Sequence, residues 1–420
     1  MRNKSISMFF VLILATITEC FASGFQINEN GARAMAMGGA FVGLVNDPAA
    51  VYYNPAGITN LSGTRFSLGA TLIIPMSKFE GPAPSTTETS LEKQFFNPVN
   101  FYFTQQITEQ LFFGFSLNNP FGLGTKWPDN WVGRYRTTET EIRTFHFSPN
   151  FAYKINDQFS IGAGFVVSYA DVLIARKLQL STPLPDADLE LSGDNTSFGF
   201  RAGIYYNVND QLSFGVSYQS NITYNFEGNA TSKIYPPTPQ NVLALLPKGK
   251  IEAKLKTPFV ATIGAAYKME NMNLVFDFQY NQWSSYDELK VIFKEFPTSA
   301  GSESVSKRDF QDSYIARLGA EYVMNKLALR GGLFYDKNPI KDERLDPTLP
   351  DADRLGINIG FGYQITEQLL VDLAYLYLFF FERKIDSSDE FIPIQPNPIR
   401  LNGTYNSNAH LIGLNFNYNF

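Results

Sequence analysis

The chain has very few of the residues that supply enzyme chemistry and covalent cross-links. Its 420 residues include one cysteine and two histidines, His146 and His410. It has no Gly-x-Ser-x-Gly motif of a hydrolase nucleophile, and no Cys, His and carboxylate cluster has the spacing of metal ligands. These absences argue against an enzyme, a metal site and a bound cofactor.

The sequence also lacks an apolar run long enough to cross a bilayer as a helix, which takes roughly 18 residues. The longest apolar stretch, residues 6–17, follows Arg2 and Lys4 and precedes the small residues Ala22 and Ser23. A short apolar run between a basic start and small residues is typical of a secretory signal peptide. We therefore predict that residues 1–22 are removed.

Cleavage after Ala22 would also remove Cys20, the only cysteine, and so exclude disulfides and thiol catalysis. Lipidation of Cys20 is the alternative, but Glu19 stands where a lipoprotein signal has a small residue. Loss of the segment changes the formal net charge from -6 to -7, since two basic residues and one acidic residue leave with it. An acidic chain argues against nucleic acid as a partner.

Aromatic residues and glycine are abundant in the chain. It holds 38 Phe, 22 Tyr and 31 Gly, yet its mean hydropathy is -0.14. No linker, charge block or low-complexity segment divides it, although a soluble chain of this length usually forms two or three domains. One large β-domain fits this composition better.

The last residues alternate between apolar and polar, as a β-strand with one apolar face does. Ile412, Leu414, Phe416, Tyr418 and Phe420 share one face, and glycine or asparagine separates them. A strand of this kind suits a soluble sandwich as well as a membrane barrel. The pattern of the other strands must decide between these two fold classes.

Six segments share a pattern of strand end, short polar turn and strand start, at intervals of about 50 residues. They begin at Ile107, Ile155, Val208, Met269, Val323 and Ile365. A β-propeller blade has a similar period. However, each interval holds two runs of about ten alternating residues, such as residues 159–169 and 198–206, around a longer polar stretch. One long hairpin per repeat, with short turns at one end and long loops at the other, is typical of outer-membrane barrels.

The six turns join twelve strands, and strands near residues 65–74 and 411–420 bring the number to fourteen. We therefore predict an all-β fold, a transmembrane antiparallel β-barrel spanning residues 64–420, with both termini periplasmic. The predicted strands carry charges opposite their apolar faces, which should point into the lumen, because a charge in lipid is costly. These charges are Arg201, Asp277, Arg317, Glu321, Arg330 and Asp372.

About forty mature residues precede the first strand, and they are too apolar and too rich in Gly and Ala to remain in water. We predict that residues 23–63 form a plug, or hatch, inside the barrel. Three features here and at the C-terminus are specific: Gly-Phe-Gln-Ile-Asn-Glu at residues 24–29, the triplet Asn54, Pro55 and Ala56, and Asn-Phe-Asn-Tyr-Asn-Phe at residues 415–420. With further matches at residues 118–124, 310–314 and 350–354, the chain resembles the FadL family of outer-membrane transporters for long-chain fatty acids and aromatic hydrocarbons.

This resemblance implies a fourteen-stranded barrel with an N-terminal hatch. It also implies ligand capture on the extracellular loops, an interior pocket that touches the N-terminus, and lateral release beside a kinked third strand. By position, Phe25 would line the pocket and Arg176 would bind a carboxylate. The kink would comprise Asn118, Asn119, Pro120, Phe121 and Gly122.

The second basic ligand residue of the family aligns with Ser306, and Lys307 stands one place away. We count Lys307 among the pocket candidates, although strand alternation would turn it outward if the register is kept. Because Lys307 stands one place away from the family's basic position, a neutral hydrocarbon stays an alternative ligand.

An apolar run in a predicted extracellular loop is the candidate surface for first capture, since exposed apolar patches often mark binding sites. It contains Val242, Leu243, Leu245 and Leu246, with prolines on both sides. A short loop helix packed on its neighbour would explain the same run.

Together these features predict uptake of hydrophobic molecules, foremost long-chain fatty acids. Uptake of neutral aromatic hydrocarbons and a general diffusion porin are the alternatives, and the apolar plug argues against the porin. The expected partners are the hydrophobic ligand, outer-membrane lipid and the outer-membrane assembly machinery, which would recognise the C-terminal strand. We expect no nucleic-acid partner.

Overall fold

The computed structural model describes residues 24–295 and 302–420, so the predicted signal peptide lies outside the described residues. The α-helices are all short: α1 (Ala32–Ala36), α2 (Ala50–Tyr53) and α3 (Gln240–Leu243). Single 3-10 turns occupy Pro55–Asn60, Trp283–Ser285 and Asp342–Arg344. No helix within the described ranges has the length and apolarity needed to cross a membrane.

Strands make up most of the described chain and are numbered in chain order. They are β1 (Thr64–Glu80), β2 (Glu88–Ser90), β3 (Val99–Gln106), β4 (Leu111–Asn118), β5 (Gly122–Lys126), β6 (Glu139–Lys154), β7 (Phe159–Leu178), β8 (Ala187–Asn207), β9 (Leu212–Gln219), β10 (Thr223–Lys233), β11 (Gly249–Lys256), β12 (Val260–Lys268), β13 (Met272–Asn281), β14 (Glu288–Phe293), β15 (Glu303–Lys307), β16 (Ser313–Met324), β17 (Leu327–Asp336), β18 (Arg354–Gln364), β19 (Leu369–Phe380), β20 (Arg383–Ile385), β21 (Phe391–Ile392), β22 (Ile399–Arg400) and β23 (Gly403–Asn419).

The sheet closes on itself, because β1 pairs with β3 on one side and with β23 on the other. Seven wall strands are built from two consecutive strands each. These are the second (β2 and β3), third (β4 and β5), seventh (β9 and β10), eighth (β11 and β12), ninth (β13 and β14), tenth (β15 and β16) and thirteenth (β19 and β20). The wall then contains fourteen antiparallel strands, which confirms the predicted barrel. All six predicted polar turns connect neighbouring strands.

Alternation along each strand separates a lipid-facing surface from the interior. On β23, Ile412 and Phe416 are exposed on the outer face, while Leu411 and Asn415 are buried. Such an apolar outer face is what the hydrocarbon core of a membrane requires.

The interior of the barrel holds the N-terminal segment, here called the hatch (residues 24–63), whose backbone lies against glycines of the wall. A Cβ atom on Gly203 would lie 2.2 Å from Oδ1 of Asn54, and one on Gly215 would lie 2.0 Å from the carbonyl oxygen of Val42. These wall positions need glycine, because any side chain there would displace the hatch backbone.

Ion pairs and charged hydrogen bonds join the hatch to the wall. Arg33 of the hatch contacts Glu321 at 2.8 Å, and Arg330 contacts Glu321 at 2.7 Å and Asp372 at 2.6 Å. One carboxylate oxygen of Asp277 accepts hydrogen bonds from two backbone N–H groups of the hatch, those of residues 41 and 42. The six charges predicted to point inward are all buried. Breaking one partner of such a buried pair leaves an uncompensated charge, so the network holds the hatch in place.

Adjacent glycines on β17 provide a test of this close packing. A Cβ on Gly332 would lie 2.2 Å from the backbone nitrogen of Gly38, whereas the nearest atom to a Cβ on Gly331 is 3.8 Å away. We expect Gly332→Val to displace the hatch and raise single-channel conductance. The overpacked side chain should lower the free energy of unfolding by about 1–3 kcal/mol. Gly331→Val should keep the closed, low-conductance state in planar bilayers. Equal conductance of the two variants would contradict the proposed seating of the hatch.

Candidate functional site

The third wall strand is interrupted between β4 and β5. On the β6 side, Asn118 pairs with His146 and Gly122 with Arg143, so three residues oppose two, as in a β-bulge. On the β3 side, the ladder extends no further than Phe101; beyond the break, the N–H of Glu92 donates to the carbonyl oxygen of Lys126 at 2.8 Å. The wall is therefore unpaired between the second and third wall strands, at the residues predicted as the kink.

The N-terminal residues supply backbone hydrogen bonds that the break leaves unmade. The N–H of Ile27 donates to the carbonyl oxygen of Pro120 at 2.8 Å, and the N–H of Gly122 donates to that of Phe25 at 3.0 Å. Gln26 forms an antiparallel bridge with Phe121. Residues 25–27 thus act as a very short strand on the lumen side of the break.

The Asn119 side chain joins the two strands that flank the break. Its Oδ1 accepts from the backbone N–H of Val99 at 2.8 Å, and its Nδ2 donates to the carbonyl oxygen of Thr144 at 2.7 Å. One amide therefore connects the second and fourth wall strands where the ladder is missing.

A cavity of about 640 Å³ lies at this opening. Phe25 borders it on the lumen side. Arg143 and Phe145, which share the outer face of β6 with the exposed Phe147, also border it. The cavity thus reaches from the barrel interior to the membrane-facing surface.

A second cavity, of about 170 Å³, lies between the inner faces of several wall strands. Its apolar lining includes Ile142, Val172, Ile174, Phe226, Leu255 and Val291. The two cavities share lining residues, among them Phe25, Leu123 and Leu349. The Phe25 ring packs against Trp283 and Phe121, with centroids at 4.7 Å and 6.0 Å. The structure thus places Phe25 between the cavities.

Three arginines line the second cavity, and two of them are neutralised by protein carboxylates. Arg136 contacts Asp346 and Glu390, each at 2.6 Å, and Arg308 contacts Asp346 at 2.9 Å. Arg176 also lines the cavity, and its guanidinium makes no ion pair or hydrogen bond within residues 24–295 and 302–420. Glu141 borders the cavity as well, but it lies 3.7 Å from Arg143 on the outer face.

The carboxylate shared by two arginines stays ionised. Burial alone would raise the pKa of Asp346, but the attraction of Arg136 and Arg308 outweighs burial and lowers this pKa well below its usual range. Asp346 therefore remains a permanent partner of both guanidinium groups. A carboxylate ligand would meet Arg176 as the cation without competition.

Lys307 is not part of the pocket, so its prediction as a pocket residue is wrong. Ser304, Ser306 and Arg308 line the second cavity, and the intervening Lys307 is exposed on the outer face. The reason is the two-residue period of a strand, which turns every second side chain outward. Arg308 supplies a basic group at the next inward position.

The Asn54, Pro55 and Ala56 triplet lies at the centre of the hatch. The Asn54 Nδ2 donates to the carbonyl oxygens of Val42 and Ile204, and its Oδ1 accepts from the N–H of Ala56. The side chain therefore connects two parts of the hatch to the sixth wall strand and caps the 3-10 turn that follows.

The predicted capture run lies in and after the one-turn helix α3. Val242 and Leu243 are half-buried, Leu246 is buried, and Leu245 is 73% exposed. None of the four lines either large cavity. The geometry fits the short loop helix, with Leu245 as its exposed apolar side chain.

Sequence reasoning missed several residues of the site. Strand alternation through Ser306 and Phe310 would have placed Arg308 inside. Arg136 lies in an irregular segment and Trp283 begins a single 3-10 turn, and in neither does a strand period indicate the direction of a side chain. Within the described residues, no group of His, Cys, Asp and Glu side chains is placed to hold a metal ion.

The chain was compared with known families, curated proteins and solved structures. The family model described as outer membrane protein transport protein (OMPP1/FadL/TodX) matches residues 11–420. The long-chain fatty acid transport protein of Escherichia coli O6:H1 is 26% identical, over 98% of this chain and 97% of that protein.

Two solved structures share the fold. A FadL homologue of Pseudomonas aeruginosa has a TM-score of 0.79 at 22% identity, covering 95% of this chain and 100% of that chain. The toluene transporter TbuX of Ralstonia pickettii has a TM-score of 0.68 at 17% identity, covering 93% and 98%. With the family match across nearly the whole sequence, these findings identify the chain as a member of the OMPP1/FadL/TodX family of outer-membrane transport proteins, and not an enzyme.

Proposed function

We propose that this protein takes up long-chain fatty acids across the outer membrane. The observation that carries the proposal is an unpaired guanidinium, that of Arg176, in an apolar cavity that adjoins the cavity at the wall opening. A molecule with one carboxylate and a long apolar tail matches both features.

The head group would bind at Arg176. A guanidinium can donate two parallel hydrogen bonds to a carboxylate, and charge-assisted bonds of this kind contribute about 1.5–3 kcal/mol each. Because Asp346 and Glu390 neutralise Arg136 and Arg308, the surplus positive charge among the arginines belongs to Arg176.

The tail would extend along the aliphatic and aromatic lining towards Phe25 and the larger cavity. At about 170 Å³, the cavity beside Arg176 is the smaller of the two. A long tail would therefore also occupy the 640 Å³ cavity beyond Phe25. Burial of each CH₂ group contributes about 0.8 kcal/mol.

Release would follow a lateral route through the break in the third wall strand. Residues 25–27 cover the lumen side of this opening and would have to move, which breaks two backbone hydrogen bonds. Lateral release keeps the tail in apolar surroundings, whereas a path straight through the barrel meets the hatch and its buried charges. In this proposal both termini of the chain face the periplasm. The ligand is first captured at the loop run that includes Leu245. The outer-membrane assembly machinery recognises the C-terminal strand.

Neutral aromatic hydrocarbons are the alternative ligands. The apolar linings would suit them equally, and only Arg176 distinguishes a charged ligand from a neutral one. A general diffusion porin fits less well, because the buried hatch fills the lumen.

The first prediction concerns the head group. We expect Arg176→Ala to weaken oleate binding at least tenfold, since 1.4 kcal/mol corresponds to one decade. A neutral probe of the same length should bind with nearly unchanged affinity. Arg176→Lys should rescue oleate binding in part, because an ammonium lacks the planar fork.

The matched control is Lys177→Ala, on the neighbouring position, where the ammonium pairs instead with Asp129 and Asp188. It should leave both affinities close to those of the wild type in the same detergent. If Arg176→Ala reduces both affinities equally, or neither, the carboxylate is bound elsewhere or the natural ligand is uncharged.

The second prediction concerns the route. Replacing residues 118–122 by a regular alternating strand should restore the ladder between the second and third wall strands and close the opening. We expect fatty acid uptake by whole cells to fall at least tenfold, while surface expression and heat-modifiability on gels remain normal.

The seventh wall strand offers a matched control, because it is interrupted at residues 220–222 and these residues line neither large cavity. Regularising that break should leave uptake unchanged. Wild-type uptake by the first variant would rule out a lateral route.

A further inference from the structure

The outer face of the eighth to tenth wall strands carries a cluster of lysines. Ile251, Ala253 and Leu255 of β11 line the interior cavity, so Lys254 and Lys256 point outward. On the neighbouring strands, Lys290 of β14 and Lys307 of β15 also point outward, because Leu289, Val291 and Ser306 face the cavity. These four residues, Lys254, Lys256, Lys290 and Lys307, are called the lysine patch.

The pairing of the strands brings like charges together in this patch. Lys254 lies directly opposite Lys290 across the β11 and β14 ladder. Lys290 pairs with Glu303 at 2.7 Å, but Lys254, Lys256 and Lys307 form no ion pair within the described residues. Glu288 lies opposite Lys307 and does not reach ion-pair distance. Like charges directly opposite each other are destabilising unless an anion compensates them.

The position of the patch relative to the membrane suggests the source of that anion. A row of outward aromatic rings crosses the same wall, with Phe259 between Tyr218 and Tyr280 at centroid distances of 5.6 Å and 5.8 Å. Such rows mark the interface between the hydrocarbon core and the head groups. Lys256 ends β11 on the loop side of Phe259, and the short irregular segment 257–259 separates it from β12. The patch therefore lies at the level of the lipid head groups at the loop end of the barrel.

Several other outward charges on the loop side of the wall are balanced by neighbours. Arg143 pairs with Asp171 at 2.8 Å, Lys78 with Glu88 at 2.9 Å and Lys126 with Glu139 at 3.1 Å. In the lysine patch, by contrast, four ammonium groups face two carboxylates, those of Glu288 and Glu303, while Glu252 of β11 pairs with Lys294. A surface of this kind favours an anionic partner.

We propose that the lysine patch binds a phosphorylated glycolipid of the outer leaflet, with the phosphates between Lys254, Lys256 and Lys307. Ammonium groups bind phosphate as point charges, and the aromatic row below would pack against the acyl chains of the same lipid. Lys307, which strand alternation excludes from the interior pocket, thereby acquires a role on the outer face. The site is independent of the proposed transport route.

The test compares binding of purified bis-phosphorylated lipid A and its dephosphorylated form to the full-length detergent-solubilised protein by native mass spectrometry. A basic residue near an anionic surface contributes about a fivefold factor in affinity, so Lys254→Gln, Lys256→Gln and Lys307→Gln together should weaken binding on the order of 100-fold. The matched control carries Lys154→Gln, Lys268→Gln and Lys326→Gln, the same charge change at the short-turn end of the barrel. It should retain wild-type affinity.

Heat-modifiability on gels verifies that both triple variants fold, and Lys→Arg at the three patch positions should retain binding. If the patch variant does not fold, Lys254→Gln alone should still weaken lipid A binding about fivefold. Equal losses in the patch and control variants would overturn the proposal. Equal affinity of the wild-type protein for phosphorylated and dephosphorylated lipid A would also overturn it.

Discussion

A chain in lipid must satisfy its backbone N–H and C=O groups within the protein, and the break in the third wall strand is where the barrel alone does not do so. The hatch supplies the missing partners there, since Phe25 and Ile27 exchange backbone hydrogen bonds with Gly122 and Pro120. The side chain of Asn119 bridges the flanking strands. The N-terminal residues and Asn119 therefore supply partners for backbone groups at the opening that the ladder leaves unpaired.

The remainder of the hatch depends on a different constraint, the close approach of two backbones. Inward glycines such as Gly203 and Gly332 leave room for hatch atoms that any Cβ would displace. Buried charges then hold the hatch in one position, because Glu321 is shared by Arg33 of the hatch and Arg330 of the wall. Residues 25–27, by contrast, are joined to the break by two backbone hydrogen bonds, and in the proposed function this part of the hatch moves.

Of the three arginines that line the smaller cavity, one has no carboxylate partner within the described residues. Asp346 and Glu390 neutralise Arg136 and Arg308, whereas Arg176 faces an apolar lining without a carboxylate partner. Desolvated charges interact more strongly than exposed ones, so in the proposed function this guanidinium would have a large influence on which ligand binds. The lysine patch on the outer wall applies the same principle at the head-group level of the membrane.

The sequence by itself determined the class of fold, the strand number and the inward direction of charges such as Asp277 and Arg330, because a two-residue period and repeated short turns are local properties of the chain. The family resemblance indicated the break at residues 118–122, and Pro120 supports it, since proline cannot donate to a ladder. Only the tertiary structure decided which charges are neutralised, because Arg136 and Asp346 lie far apart in sequence and meet through loop packing. It likewise decided that Lys307 faces the membrane side and Arg308 the cavity, since a slip of one residue exchanges the two faces of a strand.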